Sequence, residues 1–261
     1  MQVKAIKTHK ITSEDKDIFK ILDQYINSLE ENSVVAITSK IISITEGKMV
    51  KMGDIDKDKQ SLTSRDSLKD KLIEDESEYF LERSGNKYNV AFSIRNNLLV
   101  VSAGIDESNG NGYYILWPKD AQQSANKIRE YLRKKFNLKN LGIIITDSRT
   151  IPLRWGVTGA AISYSGFKPL KNYIGSPDLF GRAIEHTQLN ITDALATSAA
   201  LVMGEADEGT PISIITDIPM VEFQDNNPSD EELKSLKIEM EDDLYAPLLK
   251  NAPWKKGRRK S

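Results

Sequence analysis

Four short apolar runs, each passing directly into polar residues, set the pattern of this 261-residue chain. They are SVVAIT (33–38), NLLVV (97–101), LGIIIT (141–146) and PISIIT (211–216). Apolar runs of this length are typical of buried strands. A helix-forming segment, KDAQQSANKIREYLRKKFN, separates the second run from the third. This order of strand, helix and strand predicts a βαβ unit with parallel pairing, within an α/β or mixed α+β fold.

Helical signals lie between these runs. SEDKDIFKILDQYINSLEEN carries apolar residues at helical spacing, after an alternating, strand-like VKAIKTHKI. In the helix that separates the second and third runs, Asp120 is the predicted N-cap, with Gln123 reaching back as in a capping box. ITDALATSAALVM predicts a buried helix capped at Thr192 or Asp193. IISITEGKMV is compatible with a helix or a strand, and residues 54–84 predict surface helices.

The last part of the chain differs from the rest in composition. NNPSDEELKSLKIEMEDDLYAPLL opens with a capping box from Ser229 to Glu232 and predicts an acidic helical extension. The final WKKGRRKS is basic, and a chain end of this composition predicts a solvated tail. We therefore expect a main domain over 1–217 and an extension over 218–261.

The amino-acid composition limits the kinds of catalytic site, metal site and partner that this chain can have. The chain has no cysteine and only 2 histidines, which excludes disulfides, thiolate metal sites and a cysteine nucleophile. Any metal site would have to bind a hard cation through oxygen ligands. The formal net charge is -2 with mixed signs, which gives no reason to expect a nucleic-acid partner. No apolar run approaches the length of a membrane span, so we expect a cytoplasmic protein without a membrane partner.

Two of the predicted strands end in carboxylates. NLLVV continues into AGIDESNG and delivers Asp106, and LGIIIT delivers Asp147, followed by Ser148. If the strands are neighbours, the two acids converge at the carboxyl edge of a sheet, where Mg²⁺ or Mn²⁺ would relieve their repulsion. The alternative, which spacing alone favours, is that each acid caps a turn or a helix. Glu107, in the same loop as Asp106, is left unassigned and expected to face solvent.

Three further residues are weaker candidates. Glu205 follows the alanine-rich helix, with Gly204 as the predicted cap, and could be another oxygen ligand. Lys40 and Arg154 could bind phosphate, Lys40 through its single ammonium charge and Arg154 through two N–H groups of its planar guanidinium. For either cation taken singly, a surface salt bridge is the simpler interpretation. The chain contains neither GxxxxGK[ST] nor GxGxxG, and neither GxSxG nor HExxH.

Six stretches in one order resemble the coenzyme F420-0:L-glutamate ligase family, also called the F420 gamma-glutamyl ligases. They are TSKIISITEGK, AGIDESN, GIIITDS, LRWGVTGAAISYSG, IGSPDLFGR and DALATSAALVMGEADEGTP. The resemblance implies the family's mixed α/β fold, with mixed sheets and flanking helices, and a homodimer. It also implies a reaction that joins glutamate to an acceptor carboxylate by an amide bond, using GTP and a divalent metal, Mg²⁺ or Mn²⁺, in a two-metal site.

The same resemblance implies roles for individual residues. The implied metal ligands are Asp106, Asp147, Ser148 and Glu205. Lys40 and Arg154 are the implied catalytic cations. The implied nucleotide contacts are Ser39, Lys40, Asn109, Met203, Gly204, Ala206, Asp207 and Gly209.

The sequence departs from the family pattern in three places. KTHKITSEDKD replaces a Leu-Pro and Gly-Asp-Asp segment, Ile44 replaces a lysine, and Thr150 with Ile151 replaces Gly-Arg. A catalytically silent relative that binds nucleotide and acts through protein partners is therefore the alternative function. The acidic C-terminal helix would be its docking element. A structural protein whose acids only cap turns is a third hypothesis.

Overall fold

The computed structural model describes residues 1–52, 62–83 and 87–259, without the side chains of 62–67. The chain forms two compact units: the first comprises Met1–Gly47, Pro118–Ser148 and Gly156–Leu236, and the second Lys48–Trp117, Arg149–Trp155 and Lys237–Ser261. The helices are α1 Ile18–Tyr25, α2 Ser39–Thr45, α3 Leu62–Glu76, α4 Ala121–Phe136, α5 Ile191–Met203, α6 Asp230–Ser235 and α7 Ala246–Leu249. The strands are β1 Gln2–Ile6, β2 Ser33–Thr38, β3 Met49–Lys51, β4 Tyr79–Phe80, β5 Phe92–Arg95, β6 Leu98–Val101, β7 Tyr113–Ile115, β8 Leu141–Thr150, β9 Val157–Ser165, β10 Leu170–Asn172, β11 Gln188–Asn190, β12 Ile212–Thr216 and β13 Lys255–Lys256.

The first unit is built on a mixed sheet with the strand order β1-β12-β2-β8-β9. β1 and β2 each pair antiparallel with β12, and β2 pairs parallel with β8. β10 and β11 form a separate antiparallel pair. Helices, strands and mixed sheets of this kind confirm the predicted α/β class.

Helices cover both faces of this sheet. Alternate residues of β2 point to opposite sides, so Val35 and Ile37 pack with α1, α2 and α4, whereas Val34 and Ala36 pack with α5. A strand that is buried on both faces needs apolar residues at consecutive positions. This burial explains why the central strands appear in the sequence as continuous apolar runs.

The predicted βαβ unit is wrong in its first strand. β6, formed by the second apolar run, lies in the other unit's sheet, and the parallel partner of β8 is β2. Sequence periodicity identifies a strand but carries no information on which distant strand it pairs with.

At the N-termini of α4 and α5, the structure confirms one predicted cap contact and corrects two. Asp120 caps α4 by accepting from the Gln123 backbone at 2.9 Å, but the Gln123 side chain accepts from Lys127 and does not reach back. α5 is capped by Asn190, not by Thr192 or Asp193. The Asn190 Oδ1 atom accepts from the Asp193 backbone at 3.0 Å and from the Thr192 hydroxyl at 2.7 Å. As predicted, α5 packs a buried face against the sheet.

The second unit contains a sheet with the order β13-β4-β5-β6 and the antiparallel pair β3-β7. IISITEGKMV resolves into the end of α2 followed by β3. α3 confirms helix within the predicted 54–84 segment, and its Ile73 is buried in the unit's core. The prediction is wrong at Tyr79–Phe80, which form β4 and pair with β5. The parts of that prediction at 54–61 and 84 lie outside the described residues.

The C-terminal region is shared between the units, with 218–236 in the first and 237–261 in the second. The Ser229–Glu232 capping box is confirmed at the start of α6. The predicted solvated tail is wrong, because Lys255–Lys256 pair with β4 and Arg258 contacts Glu74 at 3.0 Å. A domain boundary at 217 stays a prediction. No helix in the ranges described above has both the length and the apolar character needed to cross a membrane.

Candidate active site

One edge of the first unit's sheet collects polar segments from three strands. β2 and β8 run parallel with Thr38 opposite Thr146. Ser39, which begins α2, and Asp147, which lies within β8, therefore follow this last pair at the same edge. β12 runs antiparallel to β2, and its first residue, Ile212, lies opposite Ile37. The loop 204–210, which precedes β12, therefore reaches this same edge.

A hydrogen-bonded cluster forms there from three of the predicted metal ligands. The Ser148 hydroxyl lies 2.8 Å from Oε1 and 2.9 Å from Oε2 of Glu205. The Asp147 carboxylate accepts from the Ser148 backbone at 2.9 Å. Ser148 and Glu205 are 57 positions apart in sequence and share this edge only through the sheet register. The cluster presents oxygen atoms only, which suits a hard cation.

The cluster is small. Across the described ranges, no group of three or more acidic, histidine or cysteine side chains is arranged to hold a metal ion. Mg²⁺ commonly takes one or two carboxylates and completes its shell with water and substrate phosphates. A pair of carboxylates with a hydroxyl is therefore compatible with that ion, whereas a fully protein-made cage is not present in this part of the chain.

The loop that carries Glu205 is held by contacts that the sequence analysis missed. The Glu208 carboxylate accepts from the Ala206 backbone at 2.8 Å and packs against Gly204, where an added Cβ atom would collide with it. Hydrogen bonds from the backbone of Glu208 itself and of Ala206 lower the pKa of this carboxyl. Gly204 caps α5 as predicted, with a positive φ of 76°. A glutamate four residues after a helix-capping glycine is the only signal that could have suggested this fold-back.

The remaining predicted nucleotide contacts of this unit lie on two segments, the start of α2 and the end of α5 with the loop that follows it. Ser39 is buried at the first position of α2, and Lys40 follows it half-buried. Met203 is the buried last residue of α5, while Ala206, Asp207 and Gly209 are exposed in the loop. The Gly209 carbonyl accepts from the Thr8 backbone at 2.9 Å, which ties the loop to the segment after β1.

Asp106 and Asn109 belong to the second unit. Asp106 Oδ1 accepts from the backbone and the hydroxyl of Ser108 at 2.7 and 2.8 Å, so this acid caps a turn. Its backbone also bridges to Ile115. Asn109 adopts a left-handed φ of 56° in the following turn. Glu107 is exposed, as expected, and forms an ion pair with Lys69 at 2.5 Å.

The predicted convergence of Asp106 and Asp147 loses its premise, because β6 and β8 belong to different sheets. The adjacency of two strand ends can therefore not be used to pair these acids. Arg154 also lies in the second unit, in an exposed turn where its backbone donates to Ile151 at 3.3 Å. The assignments of Asp106, Asn109 and Arg154 stay predictions.

A buried arginine supports the Asp106 loop, and the sequence analysis missed it. Arg95 has only 1% of its surface exposed. Its Nη1 atom donates to the Ala103 carbonyl at 2.8 Å, and its Nη2 atom donates to Glu76 at 2.6 Å. The guanidinium also lies over the Trp117 ring, 4.7 Å from the ring centroid. The available signal was an arginine at the end of the short strand FSIR.

Comparisons with known proteins bear on this arrangement. A family model described as F420-0:Gamma-glutamyl ligase matches residues 5–217. The Coenzyme F420:L-glutamate ligase of Methanopyrus kandleri is 37% identical over 192 residues, covering 71% of this chain and 75% of that protein. The protein of the same name from Methanosarcina mazei is 34% identical over 224 residues, covering 82% and 86%. The one from Methanothermobacter thermautotrophicus is 33% identical over 209 residues, covering 77% and 81%. These matches confirm the resemblance seen in the motifs: the chain belongs to the F420-0:gamma-glutamyl ligase family.

Proposed function

We propose that this protein is a ligase that forms an amide bond between L-glutamate, or another amino acid, and an acceptor carboxylate, with F420-0 or an F420-like molecule as the acceptor. GTP is the proposed co-substrate, and Mg²⁺ or Mn²⁺ the proposed metal. Family membership and the names of the relatives support the ligase chemistry. The observation that carries the site is the contact of Ser148 with Glu205 beside Asp147.

Asp147, Ser148 and Glu205 are the residues that would hold the metal. Their contacting atoms are two carboxylates and a hydroxyl, the donor set that a hard cation prefers. When bound, such an ion would neutralise charge on the nucleotide phosphates and polarise the transferred phosphoryl group. Asp106 is retained as a further proposed ligand on the resemblance alone.

The reaction needs an activated acceptor because a carboxylate has no good leaving group. In the proposed first step, an acceptor oxygen attacks the γ-phosphorus of GTP, and GDP leaves as an acyl phosphate forms. The glutamate amine then attacks the acyl carbon, phosphate leaves, and the amine proton passes to solvent. The protein's task is to position the reactants and to stabilise charge. Ser39, Lys40 and the loop 203–209 are proposed to orient the nucleotide, with Lys40 and Arg154 as cationic contacts to phosphate.

The direct test is a ligation assay with purified protein, GTP, Mn²⁺, L-glutamate and F420-0. Mass spectrometry would identify the products. We expect one glutamyl unit added to the acceptor, and one GDP and one phosphate released for each amide formed. Asp147→Asn and Glu205→Gln each remove one carboxylate charge while preserving shape. They should lower kcat/KM by at least about a hundredfold.

Glu222→Gln provides the control, since it removes one negative charge from an exposed side chain of the same unit. It should retain wild-type turnover. Full turnover in both Asp147→Asn and Glu205→Gln would show that the site is assigned wrongly. Nucleotide binding by calorimetry without any turnover in the wild type would instead support the silent relative, to which the lost lysine at Ile44 points. The homodimer and the cytoplasmic location stay predictions.

A further inference from the structure

We propose that the C-terminal strap, Trp254–Arg259, positions the loop that carries Asp106, and that it acts through Glu76 and Arg95. Arg259 and Arg95 are then positioning residues for the reaction, although neither belongs to the predicted site. This inference rests on the proposed function, because it assumes that Asp106 serves the metal. Every contact that supports it lies within the second unit.

The strap binds at a defined position on the second unit, alongside β4. Lys255 and Lys256 pair with Phe80 and Tyr79 as the edge strand of the sheet. The backbone continues this contact, with Gly257 donating to the Glu78 carbonyl at 2.8 Å. A Cβ atom at position 257 would collide with the Ser77 carbonyl, so this approach requires glycine. The basic end of the chain is therefore a fitted element of the unit.

Arg259 adds its charge to a carboxylate that Arg95 also uses. The Arg259 Nη1 atom lies 3.8 Å from Glu76 Oε2, the same oxygen that receives Arg95 Nη2 at 2.6 Å. Its Nε atom lies 3.4 Å from Glu78 Oε1, a charge contact without hydrogen-bond geometry. Burial raises the pKa of Glu78, and the charges of Arg259 and Arg95 oppose that rise. Removing Arg259 would take away the charge that lies beside the poorly solvated Glu78 carboxylate. Glu76 would keep Arg95 and Lys48, whose Nζ atom lies 3.5 Å from Glu76 Oε1.

Arg95 transmits this arrangement to the loop. Its other nitrogen donates to the Ala103 carbonyl, in the middle of three consecutive residues with left-handed φ angles, Ser102 at 49°, Ala103 at 54° and Gly104 at 69°. Left-handed backbone at residues other than glycine is strained and persists where the surroundings hold it in place. Asp106 follows Gly104 by two residues, so the hold on Ala103 sets where the Asp106 backbone starts.

Arg259→Gln tests the inference, and Arg258→Gln is its matched control. Both changes remove one charge from the strap. Arg258, however, forms its ion pairs in the described part of the chain with Glu74 and Asp75, and not with Glu76 or Glu78. Its side chain is 60% exposed, against 27% for Arg259. Hydrogen exchange of the full-length protein would report on the order of residues 102–110, and the Mn²⁺ dependence of ligation would report on Asp106.

We expect Arg259→Gln to reduce amide protection across 102–110 by about tenfold and to raise the half-saturating Mn²⁺ concentration by a similar factor. The kcat at saturating Mn²⁺ should change little, and Arg259→Lys should restore part of both effects. Arg258→Gln should leave both at wild-type values.

Three results would overturn the inference. They are unchanged loop protection in Arg259→Gln, equal losses in Arg258→Gln and Arg259→Gln, and reduced protection without a shift in Mn²⁺ dependence. Absence of ligation in the wild type would contradict the proposed function instead. The exchange measurement would still determine whether the strap orders the loop.

Discussion

At the scale of single residues, two glycines of the second unit allow backbone strain to be separated from packing. Gly104 has a φ of 69°, and a Cβ atom placed there would collide with the indole of Trp117. Gly112 has a φ of 87°, and a Cβ atom there would meet nothing within 4 Å. Alanine at either position must adopt a left-handed backbone, but only at position 104 must it also displace a buried ring.

We therefore predict that Gly112→Ala lowers the free energy of unfolding by about 1–2 kcal/mol, the cost of left-handed backbone. Gly104→Ala should cost about 1–3 kcal/mol more, because overpacking is added to that strain. Urea unfolding followed by tryptophan fluorescence would measure both. Equal losses in the two variants would mean that the indole moves aside at little cost, and that the Asp106 loop is packed less tightly than the contacts indicate.

Residue-level interpretation of the sequence succeeded where the signal was local. Asp120 caps α4 and Gly204 ends α5, because cap chemistry depends on neighbouring residues. It failed at the start of α5, where the cap Asn190 lies two residues before Thr192 and three before Asp193, the two predicted caps. The role of Arg95 depends on Glu76 and Trp117, which folding brings near, and no local pattern contains that information. Glu208 folds back on its own loop, and only its spacing from Gly204 indicated that contact.

At the scale of elements, a buried arginine fixes the start of the C-terminal region to the first unit. Arg129, on α4, has 1% of its surface exposed, and burial lowers its pKa to about 10. It donates to the carbonyls of Leu141 at 3.0 Å and Asp225 at 2.9 Å, and to the side chain of Asn227 at 3.2 Å. One guanidinium thus joins α4, β8 and the segment that leads into α6.

Arg129→Met should lower the free energy of unfolding by about 3–5 kcal/mol, because it leaves several buried carbonyls without a donor. Arg133→Met is the control, since Arg133 donates to the same Asp225 carbonyl from a more exposed position. It should cost about 1 kcal/mol. Chemical denaturation would measure both, and hydrogen exchange over 222–236 should show local loosening in Arg129→Met. Equal costs would indicate that solvent replaces the buried contacts.

The elements themselves show how far sequence patterns extend. β2, β8 and β12 could be predicted because a strand buried on both faces needs consecutive apolar residues. Their order in the sheet could not, since β2 precedes its partner β8 by about a hundred residues and such pairing is set by the whole core. The candidate site divides in the same way. The acids that follow the apolar runs were identifiable, although β8 continues past Asp147 to Thr150. The contact of Ser148 with Glu205 required the register of three strands.

At the scale of the whole molecule, carboxyl groups with shifted pKa values are distributed unevenly. In the first unit, the pKa of six carboxyls is lowered. Hydrogen bonds lower it at Asp23, Glu31, Glu208 and Glu231. At Asp15 and Glu232 burial raises the pKa, but hydrogen bonds and a nearby charge together lower it by more. Glu31, for example, accepts from the backbones of Lys139 and Asn140 at 2.6 and 2.8 Å. In the second unit, burial raises the pKa of Glu78. The two units should therefore respond differently to acid.

The signs follow from proton linkage. A carboxyl whose folded pKa is lowered stabilises the fold above its unfolded pKa, and this contribution is lost as the pH falls through the folded value. A carboxyl whose folded pKa is raised contributes stability below its unfolded pKa, and this is lost as the pH rises through the folded value.

Acidification from about pH 5 to pH 3 should thus destabilise the first unit, while protonation of Glu78 offsets losses in the second. Hydrogen-exchange protection factors, compared peptide by peptide across this range, would measure the difference. Glu31→Gln should flatten the decline in the first unit, and Glu78→Gln should remove the offset in the second. A parallel loss of protection in both units, unchanged by either variant, would contradict the argument, because the shifted carboxyls would then have no part in the acid response.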